Sequence, residues 1–361
     1  MDALLTVPEY EAAARERLPV GIWEYIAGGS GAEQTLAANR AAFDRLPLRP
    51  RFLVDVAAYD TSTTLLGARL RAPIGVAPVA YHQLAHPDGE VATARAAGEA
   101  GQLLVVSVFA SRSLEEIAAA ATGPLWLQLY WFRDRGIVRE LARRAEAAGF
   151  RALVLTVDTP RLGRRLRDVR RGFAVPAGIV AANVDAAVMA TAHEAVDGAS
   201  ALERHSRQQF DPSLGWADLA WLCRQTDLPV LVKGVLTGAD ADLAMAHGAA
   251  GVVVSNHGGR QLDGAVASVD ALAEVVDAVD GRGPVLLDGG VRGGTDVLRG
   301  LALGASAVLV GRPALWGLAV DGAAGVRAVL DILAAELEDA MVLSGRPRLS
   351  DVDPSLVLHG R

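Results

Sequence analysis

Eight short apolar runs, amphipathic stretches between them and glycines just past several of those stretches predict an α/β fold, a closed (β/α)8 TIM barrel, for this 361-residue chain. The runs are PIGVAPVA (73–80), LLVVSVF (103–109), LWLQLYW (125–131), ALVLTVD (152–158), PVLVKGV (229–235), GVVVSNH (251–257), PVLLDGG (284–290) and AVLVGRP (307–313). Their unbroken apolar character suits strands buried on both faces, which is how parallel sheets read. Between them lie helical stretches such as DRGIVRELARRAEAAGF (134–150) and TGADADLAMAHGAA (237–250). Gly101, Gly149 and Gly248 stand where a left-handed residue closes a helix. Most repeats are spaced by roughly 22–33 residues, which matches barrel closure better than the alternative, an open doubly wound sheet.

In chain order, residues 8–27 predict a helical extension before the barrel, and 62–71 a hairpin closing its base. The barrel core spans about 73–343. From the fourth run to the fifth there are about 70 residues, of which GWADLAWLCRQT (215–226) is the expected fourth barrel helix. The remainder, about 160–214, is rich in Ala, Arg and Gly and reads as a long loop after strand 4, a lid over the active face. Residues 321–343 predict the last helix, followed by a polar tail. No linker interrupts the chain, so 1–361 reads as one domain.

Hydrophobic residues make up 51% and charged residues 21%, with mean hydropathy +0.26, so a large core is available and disorder is excluded. The net charge of −7 argues against a nucleic-acid binder. A single cysteine, Cys223, excludes an intrachain disulfide or a Cys-rich metal site and points to a reduced, cytoplasmic protein. Asp2, Glu9 and Glu11 make the first residues unlike a secretory signal. No stretch of about 18 uninterrupted apolar residues exists, and GIVAANVDAAVMATA (178–192) holds Asn183 and Asp185, so no membrane partner is expected.

The chemistry of such barrels gathers at the C-terminal strand ends. Read there, the runs offer Ala80, Ser107 with Phe109, Gln128 with Tyr130, Thr156 with Asp158, Lys233, Ser255 with His257, Asp288, and Gly311 with Arg312. So many polar groups in a buried mouth cost free energy unless a ligand satisfies them. DGGVRGG (288–294) and VGRP (310–313) are glycine-rich turns with Arg292 and Arg312, suited to a phosphate. No GxGxxG follows a first strand, which disfavours a Rossmann site. SNHGGRQLDG (255–264) sets His257 beside Arg260, with Asp158 two strands away, a pattern suited to a general base. In TPRLGRRLRDVRRG (159–172), one or two arginines turned inward would match a carboxylate fork. On these residues alone, a Schiff-base aldolase using Lys233 and a non-catalytic ligand-binding barrel remain open.

Seven motifs in order resemble the FMN-dependent α-hydroxy acid oxidase and dehydrogenase family: APVA (77–80), LQLY (127–130), LTVDTPRLGRR (155–165), LVKGV (231–235), VSNHGGRQLDG (254–264), LDGGVRGGTDV (287–297) and VGRP. The resemblance runs from LPVGIWEYIAGGSG (18–31) to the final helix. It implies FMN as cofactor, no metal, and a catalytic set of His257 as base, Asp158 as its partner, Tyr130 and Lys233. It implies substrate contacts from Tyr25, Tyr130, Arg165, His257 and Arg260, with Phe109 in the substrate pocket. Pro78, Val79, Ala80, Ser107, Gln128, Thr156, Lys233 and Ser255 match positions along the isoalloxazine and ribityl parts. Asp288, Gly289, Gly290, Arg292, Gly311 and Arg312 match the ribityl and phosphate end.

Val79 with Tyr81, and Phe109, depart from plant glycolate oxidases, which carry Thr and Met at the first strand and Trp after the second. With GRRLRDVRRGFAVPAG (163–178), these stretches look most similar to actinobacterial hydroxymandelate oxidases. The expected reaction is therefore oxidation of an (S)-2-hydroxy acid, mandelate or 4-hydroxymandelate, to the 2-oxo acid, with O2 reduced to H2O2. Glycolate and lactate are the competing substrates. The resemblance also implies a homotetramer or octamer.

Overall fold

The computed structural model describes residues 4–185, 189–194 and 200–358. Each apolar run contains one strand. After a hairpin of β1 (Thr63–Leu65) and β2 (Ala68–Leu70) come β3 (Ile74–Val76), β4 (Leu103–Ser107), β5 (Leu125–Leu129), β6 (Ala152–Thr156), β7 (Val230–Val235), β8 (Gly251–Val254), β9 (Val285–Asp288) and β10 (Ala307–Val310). Strands β3 to β10 pair in parallel and close on themselves, β10 lying between β9 and β3. The fold is thus the expected (β/α)8 barrel.

Most strands stop short of their runs, because the run continues into the mouth. In PIGVAPVA only Ile74–Val76 is strand; Pro78 has no N–H to give to a ladder, so 77–80 leaves the sheet. The β7–β8 register shifts between Lys233 and Val235. Gly234 (φ +109) absorbs that bulge, and a Cβ there would stand 2.6 Å from the Asp158 Cβ. The irregularity thereby lets Asp158 approach the barrel wall beside Lys233.

One apolar cluster fills the barrel, including Val105, Trp126, Val154, Leu231, Val253, Leu286 and Leu309. Leu65 and Leu70 of the hairpin belong to it, so 62–71 does close the base. A larger cluster joins the outer strand faces to the surrounding helices. Truncating one of its fully buried leucines costs on the order of 2–5 kcal/mol. Gly101, Gly149 and Gly248 all have positive φ just past helices Glu90–Glu99, Arg135–Ala147 and Gly238–Ala246.

Two helix expectations need correction. Residues 8–27 form two helices, Val7–Arg17 and Val20–Ala27. Pro19 forces Leu18 into extended backbone (ψ 139°), which breaks the run. The last helix begins at Arg312, not 321; it runs Arg312–Leu343 with a kink at Asp321 and Gly322. Pro313 opens it, a position where its missing N–H costs nothing.

The long segment after β6 contains helix Leu166–Arg171, a 3-10 turn Ala190–His193 and helix Ala201–Gln209. Residues 186–188 and 195–199 of that expected lid, Asp2 of the first residues and 359–361 of the tail lie outside the described residues. The segment is pinned at its end where Phe210 bridges Phe132 and Arg135 meets Asp211 at 2.6 Å. The fourth barrel helix is Trp216–Cys223. Among the described residues, no helix is long and apolar enough to cross a membrane, and no cluster suited to a metal ion is found.

Candidate active site

A cavity of about 1120 Å³, open to solvent, occupies the C-terminal mouth of the barrel. Its wall contains most of the residues expected there: Tyr25, Pro78, Val79, Ala80, Ser107, Phe109, Tyr130, Arg165, Lys233, His257, Arg260, Asp288, Gly289, Gly290, Arg292, Gly311 and Arg312. Asp158, Gln128, Thr156 and Ser255 stand behind the wall instead. Gln128 accepts from Ser107 Oγ at 3.3 Å and donates to Thr156 Oγ1 at 3.1 Å, a buried chain across β4, β5 and β6.

His257 sits on the turn after β8 with φ +59, a left-handed conformation that a residue with a Cβ adopts at a cost. The turn is over-determined by its surroundings. Asn256 and Asn39 exchange two amide hydrogen bonds of 2.8 Å, and Gly259 N donates to Asn256 Oδ1. His257 N itself donates to Ser255 Oγ at 3.0 Å. The imidazole Nδ1 lies 3.0 and 3.3 Å from the two Asp158 oxygens. Burial raises the Asp158 pKa, but the facing His257 and Lys233 outweigh it and hold the carboxyl below its ordinary range. An ionised Asp158 can only accept, so Nδ1 carries the proton and Nε2 keeps a lone pair. Burial also holds the His257 pKa below 6.5, against the pull of Asp158. The result is a neutral, oriented base.

Lys233 is 3% exposed; its Nζ lies 2.9 Å from both Ser255 Oγ and Asp288 Oδ2. Burial lowers its pKa, yet Asp288 and Asp158 outweigh that and raise it. The group is therefore an ammonium, not the neutral amine that Schiff-base chemistry needs.

Of the arginines in 159–172, Arg165 turns inward at 6% exposure, and its Nε has no hydrogen-bond partner. Arg171 pairs with Glu24 at 2.7 Å and Arg167 with Glu33, while Arg161, Arg164 and Arg170 face solvent. Arg260 and Arg312 share the end of helix Val20–Ala27. Arg260 donates to the carbonyls of Tyr25 and Gly28, and Arg312 to those of Ile26 and Gly28. Helix C-terminal carbonyls are unpaired and partly negative, so this short helix is what draws two guanidinium groups together. Burial lowers Arg260 to about 10, with Arg165 as the next cause, and takes Arg312 well below its ordinary value. Arg292 is lowered by burial to about 10 and lies over the Trp316 ring at 4.7 Å. Tyr25 is held between Phe173 (4.5 Å, stacked) and the Arg260 guanidinium (5.1 Å). Five cations but a single carboxylate, Asp288, line the cavity among the described residues. Such a wall calls for anionic ligands.

A family model described as FMN-dependent dehydrogenase matches residues 14–359. The chain belongs to that family. Glycolate oxidase 3 of Arabidopsis thaliana is 50% identical over 349 residues, covering 97% of this chain and 94% of the plant protein. Glycolate oxidase of Spinacia oleracea is 49% identical over 352 residues, 98% and 95% of the two chains. A crystal structure of mandelate oxidase with (S)-4-hydroxymandelic acid superposes with a TM-score of 0.94 at 48% identity, covering 97% of each chain.

FMN is the cofactor of this family, and the mouth suits it. Gly289, Gly290 and Gly311 present bare backbone at the ends of β9 and β10, beside Arg292, Arg312 and the start of helix Arg312–Leu343. Gly290 (φ +85) also packs so closely that a Cβ would strike the backbone oxygen of Asn39. Lys233 supplies a positive charge to the cavity wall, held by Ser255 and Asp288.

Sequence reasoning missed part of the site. Leu202, His205, Ser206 and Phe210 of the long segment line the cavity, as does Leu162. Leu202, His205 and Ser206 recur at the three- and four-residue spacing of one helix face, the one signal available. The Asn39–Asn256 pair joins residues 217 apart in sequence and carries no local signature. Asp263 of the QLDG motif does structural work, accepting from Ala32 N and Thr35 N at the start of helix Gln34–Asp44.

Proposed function

We propose that this FMN-dependent enzyme oxidises an (S)-2-hydroxy acid bearing an aryl group, mandelate or 4-hydroxymandelate, to the aryl glyoxylate, with O2 reduced to H2O2. The observation that carries this reading is the aromatic wall beside the arginine pair. Phe109 stacks on Tyr81 (6.3 Å) and Phe210 (6.1 Å), and Phe210 stacks on Tyr130 at 4.7 Å. Leu162 and Leu202 extend this surface. A two-carbon acid would leave it without contact, whereas a phenyl ring buries apolar area there.

In this reading Arg165 and Arg260 hold the carboxylate, with Tyr25 beside them. Arg165 lines the cavity, and its buried Nε has no hydrogen-bond partner in the protein. Burial and the nearby Asp158 raise the Tyr130 phenol, so it stays protonated and able to donate to the substrate oxygen. FMN, when bound, supplies the two-electron acceptor. His257 Nε2 accepts the proton that leaves the substrate, and Asp158 steadies the imidazolium so formed. Pro78, Val79, Ala80, Ser107 and Lys233 would hold the ring system, backed by Gln128, Thr156 and Ser255. Asp288, Gly289, Gly290, Arg292, Gly311 and Arg312 would hold the ribityl phosphate. Lys233 would offset negative charge gathering on the reduced ring.

We place the enzyme in the cytoplasm as a homotetramer or octamer formed from a single domain; Phe52 and Leu53, 80% and 106% exposed, are apolar side chains that assembly would cover. Oxygen uptake with peroxide detection across (S)-mandelate, (S)-4-hydroxymandelate, glycolate and (S)-lactate tests the substrate assignment. The aryl acids are expected to show kcat/KM at least about tenfold higher. Higher values for glycolate or lactate would replace the aryl reading with the short-chain one.

A further inference from the structure

Besides Arg165, two side chains of the cavity wall carry polar atoms that nothing in the protein satisfies. His205, on helix Ala201–Gln209, is 2% exposed and lines the cavity. Its Nδ1 lies 3.1 Å from Thr191 Oγ1, but its Nε2 has no hydrogen-bond partner. Tyr81 is also 2% exposed, lines the same cavity, and has a hydroxyl without a partner. The two rings flank Phe109, Tyr81 parallel at 6.3 Å and His205 edge-on at 6.1 Å. A buried, unpaired polar atom costs about 1–3 kcal/mol, and two of them in one wall ask for a partner that arrives with the ligand.

The character of both groups narrows that partner. Burial, with His193 adding to it, lowers the His205 pKa to about 4, and burial raises the Tyr81 phenol. Both are neutral at physiological pH, so the wall attracts no charge here, in contrast to the arginines elsewhere in the cavity. It holds one imidazole nitrogen and one hydroxyl, both buried beneath an otherwise aromatic and aliphatic surface.

We propose that His205 and Tyr81 form a neutral hydrogen-bonding subsite for a phenolic hydroxyl, so that the enzyme prefers 4-hydroxymandelate to mandelate. This rests on the aryl reading above. A phenol both donates and accepts. Whichever tautomer Thr191 imposes on His205, Nε2 fills one of those roles and the Tyr81 hydroxyl the other. An unsubstituted ring leaves both atoms unpaired.

The test compares kcat/KM for (S)-4-hydroxymandelate and (S)-mandelate in FMN-loaded wild type, His205→Phe and Tyr81→Phe. Wild type is expected to favour the hydroxylated acid by about tenfold, the size of a neutral hydrogen bond to a buried group. H205F is expected to reduce that preference about tenfold, and Y81F to reduce it in the same direction. An unchanged ratio in both variants, with mandelate turned over, overturns the subsite alone. Turnover of glycolate with neither mandelate accepted overturns the aryl reading and the subsite with it. Should a variant fail to fold, the wild-type holoenzyme still decides: 4-hydroxyphenylacetate should perturb the flavin spectrum with a Kd about tenfold lower than phenylacetate. Equal affinities overturn the proposal.

Discussion

His257 combines a left-handed backbone, an aspartate behind Nδ1 and an unshared lone pair on Nε2. His257→Ala is expected to lower kcat by about 10²–10⁴-fold while flavin content per chain is retained. Because burial sets the His257 pKa below 6.5, kcat/KM should hold down to that value and fall only at more acid pH, as the base becomes protonated. Asp158 is the group that pulls this pKa upward. Asp158→Asn should therefore move the acid limb further toward low pH while lowering kcat by about 10²-fold or more. A limb displaced toward alkaline pH in a pH–rate profile would refute the pairing. The placement of His257, Lys233 and the glycine turns at the mouth was open to sequence reading because each sits at a strand end within a local motif. His205 was not, since one histidine in LERHSRQQF has no motif around it and acquires meaning only through Thr191 and Phe109.

Elements deliver these groups through a few unusual backbone positions. The bulge at Gly234 brings β7 against Asp158, and the end of helix Val20–Ala27 gathers Arg260 and Arg312. Gly290→Ala, which sets a methyl against the Asn39 carbonyl at φ +85, should lower both flavin content and Tm, the latter by about 5 °C. Full flavin content with unchanged Tm, read by absorbance and thermal melting, would contradict the role given to this turn. The barrel strands were legible because strands buried on both faces are apolar throughout. Their ends were not, because the mouth loops, such as 77–80, are apolar too. The first turns of helix Arg312–Leu343 were hidden for a related reason, as AVLVGRPALWGLAV passes from strand into helix with only Gly311 between them. In the long segment, helix Leu166–Arg171 spans six residues, too few for a periodicity to show before it docks on the mouth.

Across the whole molecule, a net charge of −7 coexists with a cavity lined by five cations. In an acidic protein, the cationic mouth concentrates small anions. Folding also buries neutral histidines. Burial lowers the pKa of both His82 and His205, the latter to about 4. The unfolded chain then binds more protons between about pH 6.5 and pH 4, so their contribution is complete above pH 6.5 and is lost as pH falls through that window. Melting curves should show Tm declining from pH 7 toward pH 4.5, and less steeply in His205→Phe. An equal decline in that variant would remove His205 from the explanation.

The most direct measurement is anaerobic mixing of the yellow holoenzyme with (S)-mandelate, followed by admission of air. Rapid bleaching of the flavin, faster than with glycolate, then recovery of colour with one H2O2 formed per acid oxidised, is the predicted course. A flavin that keeps its colour with mandelate but bleaches with glycolate would contradict it.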